Sequence, residues 1–139
     1  MNTFEHIPVS VVHPPSTLVA AILNEIDSLL TRLIEHHESA AIDLRSLPLF
    51  PGDDDHLKAL LGEGEVSVRL NALGPSEIYE TQIPGVWWCA HFNEAEEKIA
   101  EFIEITRIPT LLQTDVKDLQ LARKKLAPLI KRIPETEYS

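Results

Sequence analysis

The sequence has a single cysteine, Cys89, among 139 residues. No intramolecular disulfide can form, and a reducing, cytoplasmic compartment is expected. It also lacks any run of about 20 apolar residues, so no helix is expected to span a membrane. The first residues carry Glu5 and no basic stretch ahead of an apolar run, so no secretory signal is expected. Basic charge is scarce. Twelve Lys and Arg stand against 22 Asp and Glu, a formal net charge of -10. That balance suits neither a phosphate backbone nor an anionic lipid surface, so neither nucleic acid nor membrane is expected as a partner. A basic protein partner is compatible, and solubility alone also accounts for the charge.

Recognisable catalytic patterns are missing as well. There is no G-x-S-x-G elbow and no H-E-x-x-H pair. Gly62-Glu63-Gly64 is too short and too acidic to cradle phosphate. The chain therefore reads as a non-enzyme with no resident cofactor.

What is present suffices for a fold. The hydrophobic fraction is 44% and the charged fraction 24%, ordinary for a globular chain. A chain of this length buries about two thirds of its unfolded surface in one domain, here 1–139, without metal or disulfide. Residues 1–15 hold three prolines and read as an extended arm; 134–139 read as a loose tail.

Ser16 can cap a helix over Thr17–His37, whose stripe is Leu18, Ile22, Ile26, Leu29, Leu30, Leu33 and Ile34. Residues 41–52 read as a loop pinned by Leu44, Leu47 and Leu49. A short helix over Asp53–Leu61 starts on three aspartates, which suit its positive end. Then come strand patterns at 65–72, 77–83, 86–93 and 98–107, joined by short turns at Gly74-Pro75-Ser76 and Pro84-Gly85. Such connections favour antiparallel neighbours. A last helix over 115–133 carries Val116, Leu119, Leu126, Leu129, Ile130 and Ile133 on one side, and Pro128 should kink or restart it. The expected class is α+β: a four-stranded antiparallel meander packed against N- and C-terminal helices in two layers.

Few residues can carry chemistry. His36 and His37 are adjacent, so their rings lie about 100° apart on a helix and suit a helix end better than one shared ion. His56 follows Asp53-Asp54-Asp55, a set that could bind a metal, although capping accounts for the aspartates. Cys89 and His91 stand at i and i+2 on a strand and share a face with Trp87. A thiol and an imidazole can begin a metal site, but two ligands do not complete one, and a mixed sheet face is the plainer reading. Trp87 and Trp88 point to opposite faces. One belongs in the core; the other needs cover from the chain or from a partner.

The runs Leu60-Leu61-Gly62-Glu63-Gly64-Glu65-Val66, Ile78-Tyr79-Glu80-Thr81 and Pro84-Gly85-Val86-Trp87-Trp88 together resemble the conserved C-terminal region of the HupH/HyaF family of hydrogenase expression proteins. The resemblance is strong over roughly Leu57–Thr114. It implies a chaperone-like accessory role in maturing a nickel–iron uptake hydrogenase, with the iron–sulfur small subunit or a sister maturation protein as partner. A metal or iron–sulfur carrier using Cys89 and His91 is the alternative. Family members are commonly twice as long, so a homodimer that restores two units is also expected. On this reading Gly62 and Gly64 permit a tight helix-to-strand entry. Glu80 pairs with a basic group, with Arg69 as candidate, or faces the partner. The candidate contact residues are Glu65, Glu80, Trp87, Trp88 and His91.

Overall fold

The computed structural model describes residues 16–134. The arm expected over 1–15 lies outside them, as does the tail beyond Pro134. The chain divides into two compact units, residues 1–107 and 108–139, and each is described by itself.

The first unit opens with α1 (Thr17–His36). Ser16 caps it, its Oγ accepting from Val19 N. The same hydroxyl donates to Asp53 Oδ2 at 2.9 Å, at the start of α2 (Asp53–Leu61). Asp53 Oδ2 also accepts from Phe50 N, so this buried carboxylate ties two helix starts and a loop together. α1 buries Val19, Ile22 and Ile26. Ile34 is 75% exposed, not part of the buried stripe the sequence suggested; the stripe is buried early in the helix and thins over its last turns.

The strands are β1 (Ala40–Asp43), β2 (Ser67–Asn71), β3 (Pro75–Glu80), β4 (Val86–Phe92) and β5 (Lys98–Ile105). They form one antiparallel sheet in the order β1-β5-β4-β3-β2. The expected four-stranded meander is therefore β2 to β5, and a fifth strand is added at its β5 edge. That strand falls where a loop was expected. Ala40–Asp43 has only four residues and no run of β-branched side chains, so its strand character comes from pairing Ile42 with Ile103, not from propensity. The expected leucine pins hold beyond it: Leu44 is buried in a short 3-10 turn, and Leu47 and Leu49 are half-buried.

β4 is the middle strand. Val86 to Ala90 are all buried, so both of its faces are covered, as its near-continuous apolar run requires. On one face Val86 and Trp88 join Ile103 and Ile105 of β5, Leu57 and Leu61 of α2, and the α1 stripe in the main core.

The second unit holds a 3-10 turn (Thr110–Leu112) and α3 (Val116–Lys131), capped by Asp115, whose side chain accepts from Lys117 N. α3 runs through Pro128 without a restart.

Candidate functional site

The sequence runs that stand apart along the chain meet in space. After α2 the chain leaves through Gly62, at φ +69, into the segment before β2. Gly64 N donates to Glu80 O at 2.7 Å, and Gln82 N donates to Leu61 O at 3.0 Å. A Cβ on Gly64 would lie 2.7 Å from Thr81 O, closer than real Cβ atoms come. So Leu61–Gly64 and Glu80–Gln82 lie backbone to backbone, and only glycine fits at position 64.

The turn that follows is held from within. Thr81 Oγ1 donates to Val86 O and accepts from Ile83 N, and Val86 N donates to Ile83 O. Glu80 Oε2 accepts from Gly85 N at 3.1 Å, with Gly85 at φ +85. Glu80 therefore braces its own turn and does not pair with Arg69, the basic partner suggested by sequence. Register explains this: Arg69 pairs with Glu77, three residues before Glu80 and on the other face of β3, and its guanidinium lies 3.5 Å from the Glu77 carboxylate. Beside the turn lies an open cleft of about 560 Å³ lined by Leu30, Leu33, Ile34, His37, Glu80, Pro84, Gly85 and Arg107.

The two tryptophans follow this turn on β4. Trp87 is 5% exposed and Trp88 1%. Trp87 Nε1 donates to Thr106 O at 3.1 Å and Trp88 Nε1 to Glu101 Oε2 at 3.0 Å. Neither indole offers a surface here: both are internal, and both N–H groups are satisfied inside the fold.

Glu101, which sequence reasoning missed, is a buried carboxylate held between two partly exposed lysines. It is 5% exposed. Besides Trp88 it holds Lys98 Nζ at 3.0 Å and Lys58 Nζ at 3.8 Å, and Lys58 Nζ sits 5.3 Å from the Trp88 ring centroid. Strict alternation would put Lys98 and Glu101 on opposite faces. A register irregularity pairs Ala100 with His91 but Lys98 with Phe92, so Ile99 bulges and Lys98 turns to the face of Glu101.

Cys89 is buried, 1% exposed. Burial pushes its thiol up to about 12, and the Glu104 carboxylate adds to the effect by charge and by hydrogen bonding. Thiolate chemistry and metal ligation are thereby disfavoured. His91 is half-buried. Its Nδ1 lies 2.7 Å from Ser76 Oγ, and its ring tilts against Phe102 at 6.0 Å. Among the described residues no three His, Cys, Asp or Glu come together as a possible metal site. Glu65 is exposed on the bend before β2. His36 ends α1, and His37 caps it at φ 57; both are exposed. His56 Nδ1 is buried with no hydrogen-bond partner. No helix among the described residues is long and apolar enough to cross a membrane.

Tyr79 resembles Cys89 in one respect. Burial, with Glu63 and then Glu101 nearby, raises its phenol to about 12. Both groups keep their protons to higher pH in the fold than in the unfolded chain. Their stabilising contribution is whole below about pH 9 and is lost as pH climbs towards about 12. Urea midpoints should thus be level from about pH 7 to 9 and fall above that. Cys89 should not react with a thiol reagent at about pH 8 until the chain unfolds. A rapidly labelled native thiol, or a midpoint unmoved up to about pH 11, would contradict this assignment.

Comparison with known proteins agrees with the geometry. Residues 18–133 match the family model of the HupH hydrogenase expression protein, C-terminal conserved region. The hydrogenase expression/formation protein HoxQ of Azotobacter vinelandii is 31% identical over 86 residues, 62% of this chain and 30% of that protein. HoxQ of Cupriavidus necator is 28% identical over 125 residues, 90% of this chain and 43% of that protein. The chain thus spans less than half the length of these curated relatives. The solved structure of the hydrogenase expression protein HupH from Thiobacillus denitrificans superposes with a TM-score of 0.82 at 39% identity, covering 86% of this chain and 100% of that one. With the family model matched over most of its length, the chain belongs to the HupH hydrogenase expression protein family, in its C-terminal conserved region.

Proposed function

We propose that this chain is an accessory factor in the maturation of a nickel–iron hydrogenase. It acts by binding a protein, the iron–sulfur small subunit or a sister maturation protein, in a chaperone-like way and without catalysis. The observation that carries the reading is the convergence of the family signature on one junction. Gly62, Gly64, Glu80 and Gly85 are spent on building a rigid turn beside the cleft of Leu30, Leu33, Ile34 and Arg107. A backbone junction of this kind positions a surface; it holds no activated nucleophile, and the two groups with raised pKa are moved away from reactivity.

The cleft has the makings of a contact site. Ile34 is an exposed apolar anchor, with His37, Glu80 and Arg107 as a polar rim. Glu65 and His91 are further contact candidates, and Trp87 and Trp88 are buried in the strand that follows the turn.

Calorimetric titration of the purified chain with a purified hydrogenase small subunit, and separately with a sister maturation protein, tests this. Binding to one of them is expected, and Ile34→Asp should weaken it at least about tenfold while leaving the fold intact. Binding to neither would contradict the reading. Unchanged affinity in Ile34→Asp would rule out this cleft as the contact.

A further inference from the structure

Among the described residues the sheet ends on β1 at one side and on β2 at the other. Register tells which backbone groups of β2 face outward. Glu80 N donates to Val66 O at 2.9 Å, so Val66 turns its backbone groups towards β3. These groups alternate sides along a strand, so Val68 and Leu70 face β3 as well. Ser67, Arg69 and Asn71 then present their N–H and C=O groups at the edge. Among the described residues these groups have no backbone partner. Native edges are commonly blunted by proline, by a bulge or by brevity. β2 has five residues, no proline and an unbroken register with β3. β1 is the poorer template: it has four residues, and Asp43 O already accepts from Ser46 Oγ.

A cleft of about 460 Å³ adjoins that edge on the α2 side of the sheet, its polar lining formed by Lys58, Glu63, Ser67, Arg69, Glu77 and Tyr79. Ser67 and Arg69 reach it from the edge strand itself, Glu77 and Tyr79 from β3. A strand laid antiparallel on β2 puts the residues opposite Ser67 and Arg69 on this face, so their side chains enter the cleft. The residue between them falls opposite Val68 on the other face, where Val68 and Leu70 are half-buried. Edge and cleft together select one chemistry: an extended segment with hydrogen-bonding side chains at alternate positions and apolar ones between.

We propose that β2 receives an extended segment of a partner polypeptide by strand addition. This contact shares no lining residue with the cleft of Leu30, Leu33 and Arg107. The chain's own α3 is the wrong occupant, because its N–H and C=O groups are spent within the helix. A second copy is disfavoured by charge: residues 1–107 carry 18 acidic and six basic side chains, so two first units repel. It is disfavoured by area too, since two five-residue strands alone give little of the roughly 1,200 Å² that a stable interface buries.

Two measurements on the full chain test this. The first is amide hydrogen exchange by NMR. Ser67, Arg69 and Asn71 should exchange at least about tenfold faster than Val68 and Leu70. Protection of these three in the free chain overturns the proposal, since the edge is then already taken by the chain itself or by a second copy. The second is selection from a displayed library of random peptides of about seven residues. Selected peptides should alternate apolar and polar residues, lack proline, and slow exchange at Ser67, Arg69 and Asn71. N-methylation of the peptide residues opposite Ser67 and Arg69 should weaken binding about tenfold or more, whereas N-methylation of the residue between them should not. Arg69→Pro removes one edge donor without touching a bond to β3, and should also weaken binding about tenfold, while Arg69→Thr stays within about threefold. Should Arg69→Pro not fold, the N-methylated peptides give the same readout. No selected peptide, selected peptides that leave the β2 amides unchanged, equal effects of N-methylation at both sets of positions, or an Arg69→Thr as weak as Arg69→Pro overturns the proposal.

Discussion

Trp88→Ala should destabilise the chain by about 3–5 kcal/mol, the range for removing a large aromatic from a packed core. Its side chain is among the largest fully buried ones, at the centre of the middle strand, between Tyr79 of β3 and Ile103 of β5. The loss has two parts. One is the cavity left in the main core. The other is electrostatic: the buried Glu101 loses its indole donor, and Lys58 loses the ring beneath its ammonium. Trp88→Phe separates them. It restores most of the volume but not the N–H, so a cost of about 1–3 kcal/mol is expected, that of an unmet buried polar group. Urea unfolding followed by circular dichroism reads both. Equal costs for Ala and Phe would assign the whole effect to Glu101; a negligible cost for Phe would mean that Lys98 and Lys58 satisfy that carboxylate alone.

Gly64→Val should have the next largest effect. Any Cβ at this position meets the carbonyl of Thr81 at 2.7 Å, and backbone cannot swing aside as a flexible side chain can. The change pushes Leu61–Gly64 off Glu80–Gln82 and breaks the bond from Gly64 N to Glu80 O. A cost of about 1–3 kcal/mol is expected, as for overpacking elsewhere, with Gly64→Ala at the lower end. Because Glu80 also braces Gly85, the damage should spread to the turn. Hydrogen exchange of the Gly85 amide, which donates to Glu80 Oε2, should speed up in Gly64→Val. Gly62→Ala tests a different cause at the same junction. Its Cβ would meet only the side chain of Gln82, so its cost comes from φ +69 with ψ −173, a region open essentially to glycine alone, about 1–3 kcal/mol.

These two sites show how far the sequence could be read. Periodicity located α1, α2 and four strands, because each carries a pattern that a single burial face enforces. It missed β1, since four residues beginning Ala40-Ala41 carry no pattern of their own and become a strand only by pairing with β5. It placed Ile34 in the core because a helical period says nothing of where the covering sheet ends. For Trp87 and Trp88 it gave opposite faces correctly, but it could not tell that both faces of β4 are covered. The Glu101 cluster was out of reach for a sharper reason. Lys98 and Glu101 share a face only through the bulge at Ile99, and a bulge shifts alternation without leaving a mark in composition. The junction itself was half legible. The glycines announced a tight passage, but its other wall, Glu80–Gln82, lies about 20 residues away in the chain and was visible only as a second piece of the same signature.

The proposed role is in hydrogenase maturation through protein contact. Its most direct test is deletion of the gene in its native host, with hydrogen uptake and small-subunit processing measured under air. Loss of both is expected, restored by the wild-type chain and by Cys89→Ser, but not by Ile34→Asp. Wild-type uptake and normal processing in the deletion strain would contradict it.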